Sequence, residues 1–448
     1  MTPRVADCIE KIELGHRVEK RRVEVNCRGG DVTTFGGVAL LDQADRLLGL
    51  SESIAQALPD SRDPTRIKHT LPNLIRQRVY AIALGEEDLN DHEHLRHDVA
   101  IQTALGTMQQ LASPSTLCRF EGTAEREFAI EIHRWLLDCF IRAHPVPPRS
   151  IILDFDGTDD RVHGEQQGRH YNAHYGGYCF FPLQVYCGDH LLVSYLRSSD
   201  HGDTHHSLAV LKLLVDAIRQ HWPQVSIVFR GDCGFYQPRL LSYCERNRVS
   251  YIVGFGSNSR LKEEFADAVF LLAWCHQAFE EAAPDEAHDL KVFRETQYKA
   301  GKWKIYRRVI AKLEHNEHGA NQRYIVTNLP GDAEDLYCEV YCQRGDMENR
   351  HKEQQMGLFS DRTSCQFWWS NQLRMLFSAL AYVLIHTIRR VGLAGTSMVR
   401  AQVWTIRRQL LIVGAVIRRN TRRIEIRLSS TFTKQTLFMQ ALARLADP

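Results

Sequence analysis

Three acidic residues occupy positions from which their side chains could hold metal ions. Asp156 and Asp232 each end an apolar run typical of a buried β-strand, and Glu348 lies near the start of a predicted helix. A carboxylate at a strand end is held rigidly. Three such groups that converge can bind two divalent cations about 4 Å apart, which is close enough to stabilise both the attacking and the leaving oxygen of one phosphate. The pattern therefore indicates metal-dependent chemistry on phosphodiester bonds.

The elements around these acids predict a mixed α/β sheet with an antiparallel portion. Gly188 and Asp189 form a tight-turn pair that predicts a hairpin between two of the strands. No GxGxxG motif of a dinucleotide-binding sheet is present in the sequence. In chain order, the predicted core elements are strands at 151–156, 178–187 and 191–197, a helix at 205–221, a strand at 225–230, a helix at 237–247 and a strand at 249–255.

Changes in composition along the chain predict several domains. Apolar residues at helical spacing dominate the N-terminal part, and a proline-rich linker at 145–148 follows it. The predicted divisions are a mainly helical region at 1–144 that binds DNA or dimerises, an α/β core at 150–257 and 331–390, a β-rich insertion at 258–330, and a basic C-terminal region at 391–448.

Composition narrows the class of partner and the compartment. The 448 residues are 44% hydrophobic and carry a net charge of only +2, but residues 389–427 hold ten arginines against one acid, Glu425, which suits a polyanion. Twelve scattered cysteines without a CxxC pair argue against a zinc ribbon or a disulfide framework and indicate a reducing cytoplasm. The longest apolar stretch, 373–388, is shorter than the roughly 20 residues of a membrane span and predicts a core helix.

The first acid also permits a second interpretation. The segment 154–158, Asp-Phe-Asp-Gly-Thr, resembles the nucleophile motif of haloacid-dehalogenase phosphatases, in which the first Asp attacks phosphorus and the second is a general acid and base. Two acids, Asp159 and Asp160, stand where that family has an apolar residue. The segment 231–237 also lacks the second Asp of that family's late acidic motif. Both departures disfavour a phosphatase.

Other candidate residues have simpler explanations beside the functional one. A single strand-end Asp is often only a turn former or a helix cap, so the argument depends on all three acids together. The group His201, His205 and His206 could bind zinc, but its surroundings are more typical of a helix N-terminus. Trp303 is flanked by alternating basic residues and could stack on an unpaired base, although core packing is the more common role of a tryptophan.

A longer pattern carries a family resemblance. Tyr341, Arg344 and Glu348 match the first three positions of Tyr-x2-Arg-x3-Glu-x6-Lys, and the chain thereby resembles the DDE transposases of bacterial insertion sequences. The lysine position falls on Gln355, and Lys352, one turn after Glu348, could supply that charge. Further segments that resemble one subgroup of these enzymes are 86–91, 156–160 with 163–164, 230–235, and 361–365 with 371–372.

The resemblance implies an RNase H-like core with a β-rich insertion before the Glu, and a transposase that cleaves phosphodiester bonds at transposon ends and transfers the strand to target DNA. Asp156, Asp232 and Glu348 would bind two Mg²⁺ (or Mn²⁺) ions. Asp154 is a reserve candidate for the first position, because it lies two residues from Asp156 on the same face of the strand. The alternatives left open are the phosphatase and a domesticated DNA-binding protein that no longer transposes.

The resemblance also implies the macromolecular partners. Tyr341, Arg344 and Lys352, with Trp303, would contact DNA near the cut, while the N-terminal helices and the C-terminal arginines would hold the transposon end. The expected partners are double-stranded DNA, both as terminal inverted repeats and as target, and a second copy of the chain in a homodimer, without a membrane. The expected location is the bacterial cytoplasm, in association with the nucleoid.

Overall fold

The computed structural model describes residues 11–202, 204–282, 289–301 and 303–447. Short 3₁₀- and π-helical turns join some of its elements. The helices are α1 Val38–Leu48, α2 Leu50–Ala57, α3 Leu71–Leu84, α4 His92–Leu95, α5 Val99–Ala104, α6 Pro114–Gly122, α7 Arg126–Arg142, α8 Ser207–His221, α9 Pro238–Arg246, α10 Ser259–Glu264, α11 Ala266–Ala282, α12 Ala333–Asp335, α13 Arg344–Lys352, α14 Trp368–Thr387, α15 Val403–Ile406 and α16 Gln435–Ala446. The strands are β1 Lys11–Val18, β2 Arg21–Asn26, β3 Val32–Thr33, β4 Ser150–Gly157, β5 Asp160–Arg161, β6 His170–Asn172, β7 Gly177–Phe180, β8 Leu183–Cys187, β9 His190–Tyr195, β10 Ser226–Gly231, β11 Val249–Phe255, β12 Leu290–Tyr298, β13 Arg307–Asn316, β14 Gly319–Thr327, β15 Ala415–Arg419 and β16 Ile424–Leu428.

The chain forms two compact units. The first contains the described residues of Met1–Ser51, Arg62–Leu117 and Thr387–Pro448, and the second contains Glu52–Ser61 and Cys118–His386. The division therefore falls at residue 117, and α7 belongs to the second unit rather than to the N-terminal region predicted at 1–144. The reason is packing, because Phe140 of α7 lies in the core under the main sheet, and the linker at 145–148 joins two parts of one unit.

The second unit is built on an eight-stranded mixed sheet with the order β12-β13-β14-β11-β10-β4-β8-β9. Strand β10 pairs in parallel with both β4 and β11, and the remaining pairs in the sheet are antiparallel. The predicted mixed α/β fold is confirmed. Gly188 adopts a positive φ of 57° in the turn between β8 and β9, as the predicted hairpin requires. The strand predicted at 178–187 is in fact two strands, β7 and β8, in different sheets.

Both faces of the central strands are apolar because this sheet is covered on both sides. Along β10, Ile227 and Phe229 pack into one core, which also contains residues of α7, α8 and α9. Val228, between them, faces a second core on the opposite side with Leu336 and Tyr337. Burial on both faces leaves the ends of the strands as the places where polar side chains can act.

The insertion predicted to be β-rich is partly helical, and its strands belong to the main sheet. Its first part forms α10 and α11, and β12, β13 and β14 follow and extend the main sheet at its β11 edge. The predicted strands are confirmed here, although Lys302 and residues 283–288 lie outside the described residues. The helices were missed because the apolar residues of α11 are spread around the helix, with the side chains of Phe270 and Trp274 exposed, so it lacks the one-sided stripe of an ordinary surface helix.

The first unit confirms the predicted N-terminal helices, and it also contains the basic C-terminal region. Strands β15 and β16 form a hairpin whose tip carries Arg422 and Arg423, both exposed. The short β3 adds to β15, so the chain's two ends share one three-stranded sheet. The segment 86–91, which suggested no chemistry in the sequence, contains a capping box in which the backbone N–H of Asp88 donates to the Asp91 carboxylate at 2.7 Å.

The longest helical segment, Trp368–Gly392, is long and apolar enough to cross a membrane by length and composition, and 89% of its apolar window is buried. Tyr382 of α14 packs edge to face against Tyr186 of β8, with 5.9 Å between ring centroids. Its hydroxyl donates to the backbone carbonyl of Asp189 at 2.8 Å. The segment is therefore a core helix, as predicted, and its burial rather than its length shows this.

Candidate active site

The first two acids lie at the C-terminal ends of two neighbouring central strands, β4 and β10. Arg230 pairs with Asp154 and Gly231 with Phe155 in the parallel register of β10 and β4, so Asp232 and Asp156 follow at equivalent positions. Asp232 ends its strand and caps the next turn, since its carboxylate accepts a hydrogen bond from the backbone N–H of Gly234 at 2.8 Å. The other carboxylate oxygen of Asp232, Oδ2, faces the side chain of Arg344.

Helix α13 brings the third acid to the same ends of β4 and β10. Arg344 and Glu348 are four residues apart, so their side chains lie on the same face of the helix. The Glu348 side chain is 48% exposed, while the Asp156 side chain is 13% exposed. The site therefore has a buried side at Asp156 and an open side at Glu348, through which a large substrate can approach.

One guanidinium group joins the three carboxylates. Nη2 of Arg344 lies 2.8 Å from Oδ1 of Asp156 and 3.5 Å from Oδ2 of Asp232, and its Nη1 lies 3.3 Å from Oε1 of Glu348. The three acids that were predicted to meet are thus within reach of one cation. Arg344 thus lies among the acids, and its contact with DNA phosphates stays a prediction.

His351 is a site residue that the sequence analysis missed. Its Nδ1 lies 3.2 Å from Oδ2 of Asp156, and the residue is only 5% exposed. His351 follows Glu348 by three residues and Arg344 by seven, and this helical spacing was the signal that could have identified it.

Asp154 has a structural partner. Nη2 of Arg230 donates to Oδ2 of Asp154 at 2.6 Å, and Nε of Arg230 donates to the other carboxylate oxygen. Asp154 is 2% exposed. Because both of its oxygens are occupied by a buried guanidinium, Asp156 is the better candidate for the first metal position, and Asp154 cannot be reached as the nucleophile of a phosphatase. The signal for this partner was an arginine inside an apolar strand.

The ionisation of the two strand-end acids is shifted in opposite directions. Burial acts to raise the pKa of Asp156, but the close contact and charge of His351, together with the charge and hydrogen bond of Arg344, outweigh burial and hold that pKa below its usual range. Burial raises the pKa of Asp232, and the charge of Arg344 offsets only part of this effect. Asp156 is therefore firmly ionised at neutral pH, whereas the pKa of Asp232 lies above its usual value.

Tyr341 packs against the backbone at Asp232. A Cβ placed on Gly254 would lie 2.8 Å from the Tyr341 hydroxyl and 2.6 Å from the backbone nitrogen of Cys233, so only glycine fits there. Burial raises the pKa of Tyr341, and its hydroxyl therefore stays protonated and able to donate a hydrogen bond. This position is compatible with its predicted contact to a DNA phosphate.

The two candidates for the motif lysine differ in surroundings. Gln355, at the lysine position, donates a hydrogen bond from Nε2 to the backbone carbonyl of Asp159 at 3.3 Å. Lys352 is exposed at the last turn of α13. Gln355 thus connects the segment after α13 to the loop after β4, and Lys352 remains the residue that could bring a positive charge.

Trp303 does not have the exposed position that base stacking needs. It is 3% exposed, and its indole N–H donates to the Tyr236 hydroxyl. The Arg307 guanidinium lies 4.9 Å from the centre of its ring. The expected contact of Trp303 with DNA is corrected on this ground, because a buried ring is not available to stack on a base.

The loop after β4 is braced by the segment before α14, and both segments had been singled out by the resemblance. The buried carboxylate of Asp160 accepts a hydrogen bond from Oγ1 of Thr363 at 2.8 Å. Asn371 of α14 holds the backbone of Cys365 through two hydrogen bonds of 2.8 Å, one to its N–H and one to its carbonyl. These residues are structural supports of the site.

The three histidines lie next to one another just before α8. The rings of His201 and His205 stack with centroids 4.1 Å apart, and those of His205 and His206 lie 3.7 Å apart. Within the ranges that the structure describes, no group of three or more His, Cys, Asp or Glu residues already has the geometry of a metal site. In the acidic site, this agrees with Arg344 lying among the carboxylates.

Comparison with known proteins gives a family match and a distant structural likeness. A family model described as transposase DDE domain group 1 matches residues 15–447. No curated protein matches the chain. Among solved structures, the chain is similar to the piggyBac transposase in a cryo-EM structure of its synaptic complex with hairpin DNA, with 10% identity, a TM-score of 0.40, and coverage of 85% of this chain and 80% of that chain.

Proposed function

Because the chain belongs to the transposase DDE domain group 1 family, we propose that Asp156, Asp232 and Glu348 are the three acids with which this DNA transposase cuts and joins DNA. The observation that carries the proposal is their convergence: an oxygen from each carboxylate lies within 3.5 Å of the Arg344 guanidinium. The residues come from two strands and a helix, and a merely structural ion pair does not need three carboxylates around one cation.

Enzymes of this family use divalent metal ions, and the donor set in this chain fits them. The three carboxylates offer hard oxygen ligands, which favour Mg²⁺ or Mn²⁺ over zinc. Their convergence on one guanidinium supports a site for positive charge. We assign two such ions to Asp156, Asp232 and Glu348, where they would supply Lewis acidity toward the reacting phosphate oxygens.

The remaining residues of the site hold the Asp156 carboxylate in place and orient the DNA strand. His351 fixes Oδ2 of Asp156 and keeps that carboxylate ionised. The protonated hydroxyl of Tyr341 can donate to a phosphate oxygen, and Arg344 can bind a phosphate with two nitrogens. Lys352 is exposed on the same helix and can add a further phosphate contact. Each of these groups would position the DNA strand for in-line attack.

The DNA partner is proposed to be the element's terminal inverted repeats, followed by target DNA. The exposed arginines of the β15–β16 hairpin, with Arg422 and Arg423 at its tip, give the first unit a basic surface suited to a phosphate backbone. A homodimer is proposed because two transposon ends must be brought together before joining. Binding of the ends should weaken strongly as salt increases, since each phosphate contact releases counterions.

The test is a cleavage assay on the element's own terminal DNA with Mg²⁺. Asp232→Ala and Glu348→Ala should each abolish cleavage and leave binding of the end largely intact. Asp346→Ala is the matched control, because Asp346 is an exposed acid on the same helix two residues from Glu348. Retained cleavage in either site variant would falsify the assignment.

The DNA that flanks the gene distinguishes an active transposase from a domesticated DNA-binding protein. Inverted repeats close to both ends of the gene support transposition. Their absence, together with end binding that never leads to cleavage, favours a DNA-binding protein that has lost transposition.

A further inference from the structure

Arg344 occupies the place to which all three carboxylates are directed. Its two terminal nitrogens contact Asp156, Asp232 and Glu348 at 2.8–3.5 Å, and its side chain is only 15% exposed. A guanidinium has a fixed fork of donors and binds one carboxylate or one phosphate well with two nitrogens. Here the guanidinium is divided among three acids and makes no two-nitrogen contact with any one of them. It neutralises charge on all three acids without the geometry that an arginine binds best.

The charge balance explains why a cation must lie there. Three ionised carboxylates in a partly buried site repel one another, and at an effective dielectric constant of about 20 each close pair costs on the order of the energy that one ion pair recovers. Arg344 lowers the net charge of the trio from −3 to −2. Without a cation, the carboxylates would separate or take up protons.

The same guanidinium is incompletely satisfied in this position. Among the described residues, Nε of Arg344 is buried and has no hydrogen-bond partner. A buried donor without an acceptor is costly, so a further acceptor is favoured at this side chain. A DNA phosphate provides acceptors that match the fork of an arginine.

We propose that Arg344 is a resident counter-cation of the three acids, and that it leaves them for a DNA phosphate when divalent cations take its place. This inference rests on the proposed function, since it assumes that the trio is the metal site. Divalent cation and DNA then both favour the state in which Arg344 has left the carboxylates. Linkage requires that each raises the affinity of the protein for the other.

The first experiment measures Mn²⁺ binding to the DNA-free, full-length protein by electron paramagnetic resonance of free Mn²⁺ and by calorimetry. Arg344→Gln should bind Mn²⁺ at least about tenfold more tightly than the wild type, because the competing cation is gone. Arg344→Lys should be intermediate, since an ammonium keeps the charge without the fork. Arg246→Gln is the charge-matched control, because Arg246 is exposed at the end of α9, and it should leave Mn²⁺ affinity unchanged.

The second experiment repeats the titration with a short DNA duplex, corrected for Mn²⁺ bound by the duplex alone. DNA should raise the Mn²⁺ affinity of the wild type by roughly the factor gained in Arg344→Gln, and should have little effect on Mn²⁺ affinity in that variant. If Arg344→Gln fails to fold, the wild type and Arg344→Lys test the proposal instead. A wild-type Mn²⁺ affinity that does not change when DNA is added contradicts the exchange.

The two proposals fail in different ways. A folded Arg344→Gln protein with wild-type Mn²⁺ affinity overturns the counter-cation role, even if Asp232→Ala still abolishes cleavage. Tighter Mn²⁺ binding in Arg344→Gln supports the counter-cation role even in a protein that cleaves no DNA, in which case the proposed function is what fails.

Discussion

The carboxylate of Asp154 on β4 is bound at both oxygens by the guanidinium of Arg230, the residue directly opposite it on β10. The same guanidinium donates to the backbone carbonyl of Val340, shortly before α13 begins. One buried arginine therefore connects the strand that carries Asp156, the strand that leads to Asp232 and the segment that leads to Glu348. This contact holds in register the three elements on which the acidic site depends.

Loss of Arg230 should destabilise the second unit strongly. Arg230→Met leaves Asp154 buried without a partner, and breaking a buried ion pair at one side costs about 3–5 kcal/mol. The melting temperature should fall well below that of Arg246→Met, the exposed control. The double variant Asp154→Leu with Arg230→Met should recover part of the loss, because it removes the unpaired charge. Equal melting of Arg230→Met and the control would contradict this role.

A methyl group at residue 254 should disturb the site. In Gly254→Ala the new Cβ meets the backbone of Cys233 and the hydroxyl of Tyr341, so Asp232 and Tyr341 must shift. We expect a loss of about 1–3 kcal/mol in unfolding free energy together with a marked loss of cleavage. Gly256→Ala is the matched control, because a Cβ there meets no atom within 4 Å. Comparable activity in the two variants would show that the close approach at residue 254 is unimportant.

His351 should set the acid limit of the reaction. The pKa of Asp156 is lowered against the effect of burial by the close contact and charge of His351, among other groups, so His351→Leu should raise it. Cleavage should fall roughly 10- to 100-fold, as is usual when a partner of a metal ligand is lost. The acidic limb of the rate profile should move to higher pH, because Asp156 then stays protonated to a higher pH. His351→Gln, which keeps a donor, should recover part of both effects, and an unmoved acidic limb would exclude the pKa role.

Asp160 should make stability depend on pH. Burial raises the pKa of this carboxyl well above its usual range. A raised folded-state pKa means that the contribution of Asp160 to stability is fully present below the unfolded pKa of about 3.8, and is lost as pH rises through the folded pKa. The melting temperature of Asp160→Asn relative to wild type should therefore increase as the pH is raised from about 4 toward 8. A constant difference across that range would mean that Asp160 is not held in its protonated form.

Local sequence patterns were sufficient to predict the strands and the helix of the candidate site, and they singled out the three acids that the structure brings together. Apolar runs predicted β4 and β10, the Gly188-Asp189 pair predicted their neighbouring hairpin, and the segment from Tyr341 to Glu348 predicted the start of a helix. Each of these signals lies within a few residues, because backbone conformation responds mainly to adjacent side chains. The family resemblance was confirmed by a match that covers nearly the whole chain.

Several properties of the site depend on residues that are far apart in the chain. The Arg230–Asp154 pair joins residues 76 positions apart, and the Arg344–Asp156 contact joins residues 188 apart. Trp303 was expected at the DNA and is buried, and the strands of the insertion extend the main sheet, which their local pattern does not show. No local pattern contains this information, because burial and charge pairing depend on which segments pack together.

The sequence alone determined that acidic residues follow two strands and lie on one helix, because strands and helices are predicted from the periodicity of neighbouring residues. Tertiary structure decided which acid is buried with a partner, which remains open, and which cation lies among them. The physical reason is that the energy of a charged group depends on its desolvation and on its nearest charges, and both are created only when distant segments meet.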